Sequence, residues 1–297
     1  MIRGARMRVG AALFAALAAA SIAAGCGGSD NNSSSTTTTA ALTATPNINV
    51  PVDKKVAAQV PADIKSKGTL TVATDATYAP NEFVASDGST IQGMDPDLAK
   101  ALAQAMGLEA TVKNVTFDSI IPGLAANKYD LGMSSFTITK EREKTVDFVS
   151  YANAGTSFFV KAQGGPDVQS LADLCGETVS VERGTTQEAD ATAQDKKCKA
   201  AGDSGVTVNV FPDQNAANLA LSSGRADVVM ADSPPAAYAV EQSNGQFKIT
   251  GKQYGVAAYG IAIPKNSGLA KPVLGALKAV MADGTYDRIF SYWGLVK

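Results

Sequence analysis

The segment TLTVATDATY, residues 69–78, decides the fold because it joins a strand pattern to a polar turn. Its first six residues favour a buried β-strand, and Asp75 follows directly. The next segment, residues 93–106, has the apolar spacing of a helix, with Asp95 as its predicted N-cap and Pro96 at the first helical position. A strand followed by a helix is the repeating unit of a parallel sheet covered by helices.

The same alternation continues along the chain. A helix is predicted to open near Asp118, another near Thr139 and a third after Asp213. Further strand patterns occupy residues 110–115, 131–134, 178–181, 207–211 and 226–230. Repeated βα units over about 235 residues favour two α/β lobes rather than one.

The composition excludes several classes of protein. The chain has 297 residues, 26 Lys and Arg, 28 Asp and Glu, and no histidine. Without histidine there is no Ser-His-Asp or Cys-His catalytic unit and no zinc site of the usual type, so we predict neither a metal nor a cofactor. A formal net charge of −2 lacks the basic surface that binds nucleic acid.

The N-terminus has the pattern of an export signal. Three arginines precede an uncharged, alanine-rich run that ends at Gly25, so residues 1–25 are predicted to be a signal peptide. The residues before Cys26 resemble the lipobox of bacterial lipoproteins, although Ala23 stands where a larger aliphatic residue is usual. We predict that Cys26 is lipidated; an ordinary cleaved signal with a spare cysteine is the alternative. Residues 26–61 are predicted to be a disordered tether.

Two further cysteines remain, Cys175 and Cys198, which lie 23 positions apart. In a chain sent to an oxidising compartment, a disulfide is the natural interpretation of such a pair. A metal or redox pair is the weaker alternative, because neither cysteine lies in a C-x-x-C motif and no histidine is available to complete a site.

Polar residues follow the ends of the predicted strands, where open α/β sheets bind their ligands. The set contains hydroxyls, one arginine, two acids and an aromatic residue, but no nucleophile paired with a base. Its members are Asp75, Tyr78, Ser134, Ser135, Thr137, Arg142, Thr185, Thr186 and Asp232.

With these residues in place, the chain resembles the family 3 extracellular solute-binding proteins, the polar amino acid receptors of ABC importers, from Ser66 to the C-terminus. The order and spacing of seven segments carry the resemblance. They are TDATYAP (74–80), GMDPDLAKAL (93–102), FDSIIPGL (117–124), MSSFTITKERE (133–143), RGTTQE (183–188), RADVVMAD (225–232) and DGTYDRI (283–289).

The resemblance implies an α/β periplasmic-binding-protein fold of type II, with two parallel-rich sheets and two crossings of the chain between lobes. Lobe I would comprise residues 62–155 and 256–297, and lobe II residues 156–255. It also implies a substrate-binding protein rather than an enzyme, acting as a monomer. The protein would be lipid-anchored at the outer face of the cell membrane and would deliver a polar, basic or amide L-amino acid to a permease.

The resemblance also assigns roles within the site. Arg142 would bind the ligand α-carboxylate through its fork of donors, and Asp232 would receive the α-ammonium group. Asp75 lies where relatives contact a polar or cationic side-chain end, while Tyr78 and Phe117 would enclose the aliphatic part. Further hydrogen bonds would come from Thr137 and the backbone around Ser135, with Ser134 and Thr185 beside them and Thr186 from the other lobe.

Each assignment has a plainer alternative. Arg142 lies in a charged turn that could be a solvated helix face, and Tyr78 and Phe117 could be core aromatics. Asp75 and Asp232 could cap turns after strands. Many relatives carry an aromatic residue at the position of Asn81. We expect this position to lie near the entrance of the site.

An enzyme is the alternative function. Periplasmic cyclohexadienyl or arogenate dehydratases use the same two-lobed fold and need a general acid near the leaving hydroxyl. Glu182 and Glu188 are the candidates for that acid in lobe II.

Overall fold

A computed structural model describes residues 46–295 of the chain. The predicted signal peptide, Cys26 and the part of the predicted tether before residue 46 lie outside the described residues. Within the described range, no helix combines the length and the apolar character needed to cross a membrane.

The order of elements follows the predicted alternation of strands and helices. The strands are β1 Thr69–Thr74, β2 Thr77–Tyr78, β3 Glu82–Val84, β4 Ile91–Gln92, β5 Glu109–Asn114, β6 Leu131–Thr137, β7 Val146–Lys161, β8 Thr178–Glu182, β9 Thr207–Phe211, β10 Val228–Asp232 and β11 Phe247–Pro264. The helices are α1 Lys54–Gln59, α2 Ala62–Lys67, α3 Met94–Ala105, α4 Phe117–Ala125, α5 Thr186–Ala201, α6 Gln214–Ser222, α7 Ser233–Gln242, α8 Ala270–Ala282 and α9 Thr285–Tyr292. Short 3₁₀ turns occupy Arg142–Lys144 and Leu171–Leu174.

Eight strands form one sheet in the order β5-β1-β6-β11-β7-β10-β8-β9. Strands β5, β1 and β6 run parallel to one another, and so do β10, β8 and β9. Strand β11 is antiparallel to both of its neighbours, as is β7. Strands β2, β3 and β4 form a separate small antiparallel sheet.

Strands β7 and β11 explain why the two expected sheets are joined. They contain 16 and 18 residues and pair antiparallel, from Val146 opposite Pro264 to Lys161 opposite Phe247. Near its own C-terminal end β11 also pairs with β6, and near its own C-terminal end β7 pairs with β10, so the two pairings lie at opposite ends of the β7–β11 ladder. The hydrogen-bonded ladder therefore continues through both halves, and the predicted crossings lie inside these two long strands.

Each half of the sheet has its own apolar core. We name β1, β5, β6 and the helices packed on them lobe I, whose core includes Leu70, Leu98 and Leu131. We name β8, β9, β10 and their helices lobe II, whose core includes Phe158 and Val179. Burying one such side chain contributes about 1.5–3 kcal/mol. Two separate cores on one mixed sheet confirm the predicted two-lobed α/β class.

The predicted tether ends earlier than residue 61. Asp53 caps α1 by accepting hydrogen bonds from the backbone of Lys55 and Val56. Val50, Val56 and Val60 are buried in the lobe I core. Burial of these valines stabilises the ordered segment against its loss of conformational entropy.

Two local predictions were wrong. Helix α3 begins at Met94 and has Gly93 as its N-cap, so Asp95 lies inside the first turn. Gly93 has a φ of 133°, and a Cβ there would lie 2.3 Å from the Asn81 carbonyl oxygen, which requires glycine. The helix expected near Thr139 is only the 3₁₀ turn, because the chain enters β7 at Val146.

Cys175 and Cys198 form the expected disulfide, with a Cα–Cα distance of 5.6 Å. The bond joins the turn before β8 to the C-terminal part of α5. Closing a loop of this length stabilises the fold by about 3 kcal/mol in the chain-entropy account.

Candidate functional site

The structure brings all ten sequence-predicted ligand-binding residues together around one narrow cavity with a volume of about 10 Å³. Residues from both lobes contribute. The lining residues are Asp75, Tyr78, Phe117, Ser134, Ser135, Thr137, Arg142, Glu182, Thr185, Thr186, Gln187 and Asp232.

The topology explains this convergence. Asp75 follows β1, Thr137 ends β6, Glu182 ends β8 and Asp232 ends β10. The strands of each lobe run parallel, so their carboxyl ends lie at the same edge of the sheet. The two lobes present these edges to each other across the cavity.

Arg142 is the cation among the lining residues and is fixed from both lobes. Its Nη1 donates to the Thr137 carbonyl at 2.7 Å, and its Nη2 donates to the Gly184 carbonyl at 3.0 Å. The guanidinium carbon lies 5.2 Å from the ring centre of Phe117. Burial lowers the pKa of Arg142 to about 10, so the side chain is charged at neutral pH. The solvated-face alternative for Arg142 is wrong.

Asp232 is a buried acceptor held by three elements. Its carboxylate accepts hydrogen bonds from Gln187 Nε2 and the Tyr259 hydroxyl, both at 2.7 Å. Its backbone N–H donates to the Tyr78 hydroxyl at 2.8 Å, which links the two lobes. Burial raises the pKa of Asp232, while the hydrogen bonds and Arg142 oppose that rise.

Asp75 is buried on the lobe I side of the cavity. Its carboxylate accepts a hydrogen bond from the Thr77 hydroxyl at 2.7 Å and from the Phe117 N–H at 2.9 Å. Its own N–H donates to Ser134 Oγ at 2.9 Å. Burial raises the pKa of Asp75, and the hydrogen bonds partly counteract it.

Glu182 lines the same cavity as Asp75 but belongs to lobe II, and it lies close enough for the charge of Asp75 to raise its pKa. Glu182 is 3% exposed, and its Oε1 has no hydrogen-bond partner among the described residues. Burial raises its pKa well above the usual glutamate value, and the nearby Asp75 raises it further. Sequence reasoning named Glu182 only as a possible general acid, although its position at the end of β8 was a signal for the site.

The two aromatic residues occupy different surroundings. Phe117 stacks on Phe136 with ring centres 4.6 Å apart. Tyr78, although it follows a lobe I strand, packs into an apolar cluster with Phe159 and Val229 of the opposite side. Both therefore combine a core contact with a position on the cavity wall.

The threonines at the start of α5 serve the helix and the cavity together. Thr185 caps α5 by accepting from the Glu188 N–H at 3.2 Å, and its hydroxyl donates to the Glu182 carbonyl at 2.7 Å. Glu188 itself accepts from the Gly184 N–H at 2.6 Å and is not among the cavity-lining residues. Thr185 therefore caps α5 and lines the cavity at the same time.

Ser134 and Ser135 are held from behind by a buried polar cluster. The Ser134 hydroxyl donates to Glu82 at 3.0 Å, and the Ser135 N–H donates to Asp95 at 2.8 Å. Asn81 donates to Ser135 Oγ at 2.8 Å and is fully buried, so our expectation that it lies at the entrance is wrong. Ser135 has a φ of 52°, a strained conformation that this cluster maintains.

The arrangement can bind a small polar ligand that carries groups of both charges. It offers one guanidinium, three carboxyl groups and several hydroxyls, all fixed in a partly closed space. Among residues 46–295, no group of three histidine, cysteine, aspartate or glutamate side chains is placed to hold a metal ion. Two lobes that enclose a polar cavity define the class of two-lobed solute-binding proteins.

The comparisons with known proteins give the family. The pattern of the bacterial extracellular solute-binding proteins, family 3, matches residues 70–296. The arginine-binding protein ArgT of Corynebacterium glutamicum is 34% identical over 242 residues, which cover 81% of this chain and 79% of ArgT. The chain therefore belongs to the family 3 extracellular solute-binding proteins.

Solved structures support the same assignment. An ancestral arginine-binding protein bound to arginine is 40% identical, with a TM-score of 0.70, and the match covers 76% of this chain and 98% of that one. An ancestral amino acid-binding protein described as a precursor of cyclohexadienyl dehydratase is 36% identical, with a TM-score of 0.70, covering 78% and 97%. These matches extend the likeness across both lobes.

Proposed function

We propose that the cavity binds a cationic L-amino acid of the arginine type and that the protein delivers it to an ABC permease. The observation that carries this proposal is the charge of the site: Asp75, Glu182 and Asp232 face a cavity in which Arg142 is the cation among the lining residues. A zwitterion with a neutral side chain offers one positive group to these three acids. A ligand with a second positive group, on its side chain, can pair with more of these acids.

The positions of the charges suggest the orientation of the ligand. The ligand α-carboxylate would accept from Arg142, with the Ser135 and Thr186 region beside it, and the α-ammonium would donate to Asp232. The side-chain cation would then reach Asp75 and Glu182, with Tyr78 flanking its aliphatic part together with Phe117. The names of ArgT and of the arginine-bound ancestral protein agree with this choice of ligand.

Ligand binding and lobe closure are coupled in this proposal. The ligand would touch Arg142 and Asp75 from lobe I and Asp232 and Glu182 from lobe II. Contacts that exist only when the lobes are together favour the closed form by their own free energy. The permease would then distinguish the loaded protein from the empty one by its shape.

The proposal also includes the predicted lobe boundaries, the lipid anchor and the tether. The lobe boundaries at 62–155 with 256–297 and at 156–255 fit the two cores, and α1 adds to lobe I. A lipid on Cys26 would hold a monomeric protein at the outer face of the membrane. The chain before residue 46 would act as its tether.

Calorimetric titration tests the ligand and the central cation together. L-Arginine should bind the wild-type protein, and Arg142→Ala should lose at least about 3 kcal/mol of binding free energy because the α-carboxylate is left unpaired. Arg183→Ala is the matched control, because Arg183 is exposed and does not line the cavity. Equal affinities in Arg142→Ala and wild type would remove Arg142 from the site. A wild-type protein that binds no cationic amino acid would refute the proposed ligand.

One observation favours a second candidate, a dehydratase. Glu182 is a buried carboxyl group with a raised pKa on the cavity wall, which suits a general acid. Glu188, the other candidate acid, lies outside the cavity lining. Incubation with arogenate or prephenate distinguishes the functions, since aromatic product would require the enzyme.

A further inference from the structure

Asp75 and Glu182 come from different lobes and meet across the cavity. Asp75 lies directly after β1 and Glu182 at the end of β8, and both are 3% exposed. Both carboxyl groups line the same narrow cavity, and Arg142, the cation of that lining, is directed to two backbone carbonyls instead. Two carboxyl groups buried in one small space, with no cation directed at them, retain a proton between them.

The surroundings keep that proton in place. The titratable and charged groups around the pair are Asp213, Asp232, Glu82, Tyr78 and Arg142. The four groups other than Arg142 are negative or neutral, so none of them can compensate the charge of the pair. The guanidinium of Arg142 is directed instead to the carbonyls of Thr137 and Gly184. Like charges this close and this buried cannot both remain ionised without a cation.

The proton belongs on Glu182. The Asp75 carboxylate already accepts from Thr77 and from the backbone of Phe117, which stabilises its charged form. Glu182 has no such donors, and its Oε1 is left unpartnered beside the cavity. The pKa directions agree: burial raises the pKa of Glu182 well above its usual value, whereas the hydrogen bonds from Thr77 and Phe117 partly counteract the rise that burial causes at Asp75.

We propose that Asp75 and Glu182 hold one proton between the lobes while no ligand is bound, and that a cationic side chain displaces this proton to solvent when it binds. The inference rests on the proposed function. On binding, the O–H bond of Glu182 breaks, its proton leaves to water, and the ligand guanidinium donates to both carboxylates in its place. Glu182 is thereby a specificity-determining residue, because a neutral side chain cannot compensate two charges.

The release of a proton makes the affinity for a cationic ligand depend on pH. Uptake of a cation with release of one proton becomes more favourable as pH rises, by up to about tenfold in affinity for each pH unit below the raised pKa of Glu182. L-Citrulline has nearly the shape of L-arginine but no side-chain charge. Its affinity should therefore vary little over the same range.

The experiment is calorimetric titration of the mature protein with L-arginine and L-citrulline from about pH 5 to about pH 8, in pairs of buffers with different ionisation enthalpies. Wild type should release close to one proton for each arginine bound and almost none for each citrulline. Glu182→Gln should bind arginine without proton release, and its preference for arginine over citrulline should fall about tenfold. Glu241→Gln removes an exposed acid of α7, outside the cavity lining, and should behave as wild type.

The outcomes separate the two proposals. Tight arginine binding with no proton release, or release that persists unchanged in Glu182→Gln, overturns the shared proton and leaves the proposed function intact. Absence of binding to any cationic amino acid overturns both. If Glu182→Gln does not fold, Asp75→Asn removes the other half of the pair and must likewise abolish proton release.

Discussion

Two pairs of buried carboxyl groups, close in the fold, have different surroundings. Glu82 and Asp95 lie behind Ser134 and Ser135 within lobe I, and neither lines the cavity. Asp75 and Glu182 belong to different lobes and both line it. Each pair contains a protonated acid, yet the first is enclosed by protein whereas the second can exchange its proton for a ligand. Location in the fold therefore decides whether a buried acid pair is linked to folding or to binding.

The two pairs should differ most when one acid of each pair is replaced by alanine, and the difference should appear in both stability and ligand affinity. Asp95→Ala should lower the free energy of unfolding by about 3 kcal/mol, because the Ser135 N–H and the Tyr151 hydroxyl lose their acceptor where solvent is excluded. Asp75→Ala should cost less than about 1 kcal/mol of stability, since water can reach its donors from the cavity, but should weaken arginine binding about a hundredfold. Urea unfolding and calorimetry measure both. Equal stability losses in the two variants would contradict the comparison.

A smaller effect comes from neutralising one acid without changing its shape. Glu82→Gln should leave the ratio of arginine to citrulline affinities within about twofold of wild type, because Glu82 does not line the cavity. Glu182→Gln should reduce that ratio about tenfold. A change of selectivity in Glu82→Gln as large as in Glu182→Gln would show that the two pairs act as one electrostatic unit.

The smallest effect is the pH dependence of stability. Burial raises the pKa of Asp95 to about 6 and raises those of Glu82 and Glu182 well above the usual value. These three groups therefore bind more protons in the folded protein than in the unfolded chain, so their contribution to stability is greatest at low pH and falls as pH rises through the raised pKa values. The decrease should begin near pH 4 and continue beyond about pH 6.

Saturating arginine separates the two contributions. The part of the decrease that belongs to Glu182 should disappear, because the bound cation replaces its proton, whereas the part from Glu82 and Asp95 should persist. Thermal unfolding across this pH range, with and without arginine, measures the difference. If arginine leaves the slope of stability against pH unchanged, the whole pH dependence belongs to Glu82 and Asp95 inside lobe I.

Several residues of the site can be predicted from the sequence for a physical reason. Asp75, Thr137 and Asp232 were found because strand patterns locate the carboxyl ends of strands, and parallel strands present those ends at one edge. Arg142 depended on the family resemblance, since a charged turn alone resembles a solvated surface. Asn81 was misplaced because local sequence does not reveal that a short polar segment is covered by the first turn of α3.

The long strands mark a similar limit in the fold. Alternating patterns located β1, β8 and β9 closely, but the lengths of β7 and β11 were not foreseen, because these strands change lobe and their burial pattern changes along them. The valines of residues 50–60 were assigned to the tether because their burial depends on a core formed by distant residues.

The amino-acid sequence by itself determined the α/β class, the pairing of Cys175 with Cys198 and the cavity residues that follow strand ends, because these depend on local periodicity, residue chemistry and strand order. Only the tertiary structure decided that Asp75 meets Glu182 across the lobes while Glu82 and Asp95 stay enclosed within lobe I. The physical reason is that the state of a carboxyl group depends on its distance from other charges and from water. Those distances are set by contacts between residues far apart in the chain.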